Sequence, residues 1–270
     1  MSMRHATSWR RAVALTVSLL AGLAGGTNNA VAQPTPTDRI VVRLDVGSRP
    51  ASRTFATHRR FTVFVEQGSF KTNYGINRGS VVDGGISYLL WRNLAVGLDV
   101  SSYRSINTAQ ITSQLPHPFF FDLPRTTTGV SGGLVRHELG VHLQALWVSQ
   151  LTDWLVMSLS GGPSLISARQ DLVSSVEHAE TGFPFEAPIF VNHAVNAESG
   201  ITVGWNSGVG IDTFFLHRLP GLSRYGVLEN AGLGLLFRYL RGSLNLQTND
   251  DPVHVDLGGL QITAGLRLRF

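Results

Sequence analysis

Three acid–base side chains crowd into one short stretch, His137, Glu138 and His142. In an extended strand Glu138 and His142 point to the same side, two alternations apart. That is about 13 Å along the strand at ~3.3 Å per residue, too far for a direct hydrogen bond. His137 points to the opposite side, where a serine would complete a nucleophile–base pair, but no local motif names that serine. No catalytic residue is therefore expected. His117, His178, His193 and His254 lie in separate segments without metal-ligand spacing, and the chain has no cysteine, so no metal site is expected. There is no phosphate-cradling glycine loop, and no cofactor is expected.

The charged residues form a more coherent pattern. Arg43, Asp45, Asp83, Asp99, Arg136, Glu138, Asp212, Arg238, Arg267 and Arg269 all fall on the polar side of segments that alternate apolar and polar. The last segment is the clearest. Leu260, Ile262, Ala264, Leu266, Leu268 and Phe270 alternate with Gln261, Thr263, Gly265, Arg267 and Arg269. Period-two alternation over this length is a β-strand long enough to cross a bilayer. The same pattern recurs over 39–48, 81–90, 94–103, 134–147, 154–162, 201–213 and 230–240, which makes eight strands. Phe61–Val65 reads as a further strand. It is either a hairpin in the first long connection, a replacement for 39–48, or part of a ten-stranded count.

Such strands fit an all-β fold, a closed antiparallel up-and-down transmembrane barrel of eight strands, with ten as the alternative. Closure removes open sheet edges, which lipid cannot satisfy. An eight-stranded interior is just wide enough for side chains to fill it. The five acids and five arginines are expected to pair across that lumen, with inward glycines leaving them room. The alternative is a conducting path. Connections alternate between short ones (91–93, 149–153, 216–228) and long ones near 49–80, 104–133, 163–199 and 241–256, which are expected to be outer loops. Tyr88, Trp91, Trp147, Trp154, Tyr239 and Phe270 fall near strand ends, where interfacial aromatics belong. Two long connections carry proline-stiffened aromatic runs, with Phe119, Phe120 and Phe121 in one and Phe183 and Phe185 in the other. They either pack together over the barrel mouth or form a contact surface for a ligand, lipopolysaccharide or partner.

The bulk composition agrees. Charged residues are only 15% of the 270, and hydrophobic residues are 43%, yet no apolar run after residue 33 reaches the ~20 residues of a membrane helix. Arg4, Arg10 and Arg11, the apolar stretch 12–24 and Ala30-Val31-Ala32 form a secretory signal pattern. Residues 1–32 are expected to be cleaved, leaving 33–270 as the barrel domain. Without the leader's arginines the chain is nearly neutral, which gives no reason to expect nucleic-acid binding.

On these residues the chain resembles the small outer-membrane β-barrels of the OmpA-like transmembrane-domain group, over roughly residues 38–270. The carriers are the signal ending, the alternating strands and the terminal Leu266-Arg-Leu-Arg-Phe270. The resemblance implies an integral outer-membrane location, contact with outer-membrane lipid and lipopolysaccharide, and an assembly signal at Leu266, Leu268 and Phe270 for the barrel-assembly machinery. No periplasmic peptidoglycan-binding domain follows Phe270, so cell-wall tethering is not implied. The expected role is non-enzymatic, in envelope structure or in surface interaction through the loops, with no surface partner specified. The rivals are a narrow porin-like channel, a lipid hydrolase using His137, and a soluble lipocalin-like barrel with its faces reversed.

Overall fold

The computed structural model describes residues 39–50, 52–214, 230–246 and 252–270. The leader at 1–32 and the connections 215–229 and 247–251 lie outside the described residues. Among the described residues ten antiparallel strands follow in chain order: β1 (Ile40–Arg49), β2 (Arg53–Val63), β3 (Glu66–Ile76), β4 (Gly79–Trp91), β5 (Leu94–Leu115), β6 (Arg125–Thr152), β7 (Leu155–Ala179), β8 (Ile189–Thr213), β9 (Ala231–Leu246) and β10 (Val253–Arg269).

Eight of them close a ring, in the order β5-β4-β1-β10-β9-β8-β7-β6 and back to β5. β1 sits between β4 and β10, so the first and last strands seal the barrel. Arg39 and Ile40 amides both donate to the Phe270 carbonyl, which ties the two ends of the described chain together. This is called the terminal end below, and the opposite one the distal end.

β2 and β3 stay out of the ring. They form a hairpin inside the first long connection, and β3 adds to the distal half of β5 through Ser69–Gly75 against Thr108–Gln114. Its turn is Phe64-Val65, both with positive φ, the geometry of a two-residue hairpin without the usual Asn-Gly signal. Phe55 stacks on Tyr74 with ring centroids 4.6 Å apart.

The expected loops at 104–133 and 163–199 are corrected. β5 runs on to Leu115 and β6 starts at Arg125, while β7 runs to Ala179 and β8 starts at Ile189, so the connections shrink to 116–124 and 180–188. Residues 49–80 are likewise mostly β2 and β3. The expectation failed because the polarity of the faces reverses along the strands. Near the terminal end Leu94, Val96, Leu98 and Val100 face outward and Asp99 and Ser101 inward. Further along β5, Thr108, Gln110, Thr112 and Gln114 face outward, and Ala109 and Ile111 are buried.

The outward apolar faces make a continuous belt. It includes Val42, Leu44 and Val46 on β1, Leu139, Val141 and Leu143 on β6, Ile201 and Val203 on β8, Leu233, Leu235 and Phe237 on β9, and Leu260, Ile262 and Leu266 on β10. About nine residues per strand, at ~3.3 Å each and tilted by ~40°, give a belt roughly 23 Å high. Distal to it, Phe70, Tyr74, Ile111, Leu134, Ile166, Leu172, Leu246 and Leu257 form an apolar core inside the strands. The Tyr74 hydroxyl accepts from the Val173 amide at 2.8 Å and pins the hairpin to β7. Leu172→Ala is expected to cost about 2–5 kcal/mol by leaving a cavity in this core, read as a lower urea midpoint of the detergent-folded protein.

Candidate functional site

Between that distal core and a few inward apolar residues at the terminal end, such as Ala95, Leu146 and Leu236, the lumen is filled with charge. β1, β4, β5, β8, β9 and β10 each aim an ionised residue at the barrel axis. Arg43 donates to Asp99 at 2.6 Å. Arg238 bridges Asp83 and Asp99. Arg267 donates to Asp45 and to Asp212, both at 2.6 Å. A second cluster lies towards the distal end, where Glu138 accepts from Arg136 and Arg49, each at 2.8 Å. The Arg49 guanidinium also covers the Tyr103 ring, 3.7 Å from its centroid.

The structure thus brings together nine of the ten charged residues singled out from sequence. Arg269 lies near the terminal end, with its guanidinium 4.5 Å from the Phe214 ring centroid. Arg49 joins them one residue beyond the alternating stretch 39–48, on the inward parity of Arg43 and Asp45. Glycines make the room. A side chain at Gly234 would collide with Asp212 and Arg267, and one at Gly85 with Asp99.

Glu138 and His142 do not act as a pair. His142 lies 2.8 Å from both the Ser101 and Ser164 hydroxyls. Ser164 also accepts from Asn206, whose Oδ1 accepts from Gln144, both at 2.8 Å. This buried string belongs to the same packed interior. On the outer face the serine that sequence could not name is Ser102, with its Oγ 3.1 Å from His137 Nε2. His117 holds its own loop, His178 packs between Phe61 and Phe190, and His254 pairs with Asn245.

At the distal tip the two aromatic connections meet. Arg125 reaches across to Glu180 at 2.8 Å and donates to the carbonyls of Phe185 and Pro116, also at 2.8 Å. His117 Nε2 lies 3.1 Å from the Pro184 carbonyl. Phe119 packs on Phe185, with centroids 5.4 Å apart. Even so, Phe119, Phe120, Phe121 and Phe183 keep 60–86% of their surface exposed. At the other end Leu266, Leu268 and Phe270 lie on the outward side of β10, next to the closing seam.

Closed strands, an apolar outside and a charged, filled inside together decide the type. The chain is a transmembrane β-barrel of the outer-membrane kind. No protein-family pattern matches its sequence, and no curated protein matches it significantly. Solved outer-membrane proteins resemble it at low overlap. Outer membrane protein OprG from Pseudomonas aeruginosa overlays with TM-score 0.45 at 9% identity, covering 86% of this chain and 96% of that one. Neisserial surface protein A gives 0.39 at 13% identity, covering 86% and 97%. The outer membrane protease OmpT from Escherichia coli gives 0.43 at 9% identity, covering 90% and 100%. At such distances no residue role passes from them to this chain.

Replacing Arg238 by Met is expected to destabilise the barrel by about 3–5 kcal/mol, because Asp83 and Asp99 lose a shared guanidinium in a buried site. Adding Asp83→Asn should return part of the loss, and urea midpoints of the three proteins measure both steps. A second expectation concerns the tip. Its hydrogen bond to Arg125 holds the Glu180 carboxyl below its ordinary 4.5. A depressed carboxyl stabilises the clasp above that ordinary value, and the contribution is lost as pH falls through the folded one. Amide NMR shifts of Phe119 and Phe185 should therefore change together on acidification, and Glu180→Gln at neutral pH should reproduce the acid spectrum.

Proposed function

We propose that this protein is a non-enzymatic barrel of the bacterial outer membrane, which presents its strand-built distal end on the cell surface and contacts a partner through the aromatic tip. The observation that carries this reading is the pairing of exposure with restraint at the tip. Four phenylalanines stay open to solvent, while Arg125, Glu180 and His117 hold the loops that bear them. Ordering such loops in advance lowers the entropy lost on binding, and a clustered exposed apolar surface marks a contact site.

The terminal end, with its short connections 92–93 and 153–154, then faces the periplasm. In this reading the barrel-assembly machinery would meet the last strand at Leu266, Leu268 and Phe270. The lumen supports a structural role rather than conduction, because Arg136, Arg238 and Arg267 are fully buried and fill it. Ser102 and His137 form a pair without a carboxylate on His137 among the described residues, which favours a binding role for that face over hydrolysis.

Changing Phe119, Phe120 and Phe121 to Ser is expected to leave outer-membrane fractionation and the heat-induced gel shift unchanged. Adhesion of expressing cells to apolar or host surfaces should fall at least severalfold. Unchanged adhesion would overturn the tip as the contact site. Stable single-channel currents from the wild-type barrel in planar bilayers would overturn the plugged lumen.

A further inference from the structure

The distal edge of the apolar belt is not uniform around the barrel. Cross-strand register lines up one outward residue per strand in a row across the wall: Ser48 on β1, Ser80 on β4, Arg104 on β5, His137 on β6, Arg169 on β7 and Ser199 on β8. Serines flank a run of three basic side chains on neighbouring strands. At ~4.8 Å between strands, Arg104 and Arg169 stand about 10 Å apart with His137 between them. Two flexible guanidinium groups can converge on one anion across that span.

All three are exposed on the outer wall, and neither arginine forms an ion pair among the described residues. The Ser102 hydroxyl joins them through its 3.1 Å contact with His137. Asp171 follows one step further out on this face, and its Oδ2 accepts the Val135 amide at 2.9 Å. Towards the belt the next outward row is Ser102, Leu139 and Ser167, and the row after it is Val100, Val141 and Leu165, all outward and apolar. Cationic donors above and hydrocarbon below match the two halves of a phosphorylated lipid. The guanidinium fork suits phosphate geometry.

We propose that Arg104, His137, Arg169 and Ser102 form a binding site for the phosphate of an outer-leaflet lipid, whose acyl chains lie along Val100, Val141 and Leu165. The site rests on the membrane placement given above, with the distal end outward. The phosphate comes from a lipid rather than from solution, because the basic row opens sideways onto the belt and not into a cavity.

The test is native mass spectrometry of the full detergent-folded protein with lipid A as probe, in its phosphorylated form and after enzymatic removal of the phosphates. The wild type should retain the phosphorylated form preferentially. Each of Arg104→Gln and Arg169→Gln should weaken binding about fivefold, and the pair roughly thirtyfold. Arg60→Gln with Lys71→Gln removes two exposed charges from the hairpin and should change nothing. Equal retention of both lipids, an equal loss in the hairpin control, or displacement by excess inorganic phosphate would overturn the site. The heat-induced gel shift of each variant separates loss of binding from loss of fold. A chain that stays folded and soluble without detergent sinks the membrane reading and this site together. A heat-shifting barrel that ignores the phosphates sinks the site alone.

Discussion

Guanidinium–carboxylate pairing inside the ring is what the other features depend on. A narrow barrel must fill its interior, and this one does so with ionised groups buried from water. Each acid would be costly there alone, so Asp45, Asp83, Asp99, Asp212 and Glu138 each take at least one arginine. Arg238 and Arg267 each hold two acids at once, which links β4, β5, β9, β10, β1 and β8 through side chains as well as through backbone. A one-residue slip of any of these strands would carry its charge into the apolar belt. The network therefore specifies register as well as filling space.

The second constraint is the medium outside. Where the outside is apolar, the strands place apolar residues outward and charge inward. Beyond the belt the outside is polar, and the same strands reverse, with Gln110 and Thr112 outward and Ala109 and Ile111 inward. Strand parity does not change at the boundary, since odd-numbered β5 residues face inward throughout. Only the chemistry assigned to each parity changes. The row of Arg104, His137 and Arg169 sits at the level of that reversal.

This reversal also explains how far the sequence could be read. The eight ring strands were legible because apolar-outward alternation is unambiguous over residues such as Leu260 to Phe270. The distal halves of β5 to β8 were not, because Thr- and Gln-rich segments resemble loops to a reader expecting an apolar outer face. Phe61–Val65 carries the right alternation for a ring strand, and only the pairing of β2 with β3 and of β3 with β5 places it in a side hairpin. Most lumenal charges followed from parity. Arg49 is the exception, because it lies one residue past the alternating stretch 39–48. Ser102 could not be matched to His137 without register, since 35 positions separate them in the chain.

The hairpin extensions also have a consequence for how the chain can change over generations. From Arg104 to Leu115, β5 rises about 36 Å along its length at ~3.3 Å per residue, so the tip is far from the seam that closes the ring. Among the described residues its loops share no hydrogen bond or ion pair with the lumenal arginines. Substitutions at Phe119 or Phe183 can therefore accumulate without disturbing insertion or closure, and lineages can vary what they present to their surroundings on an unchanged barrel.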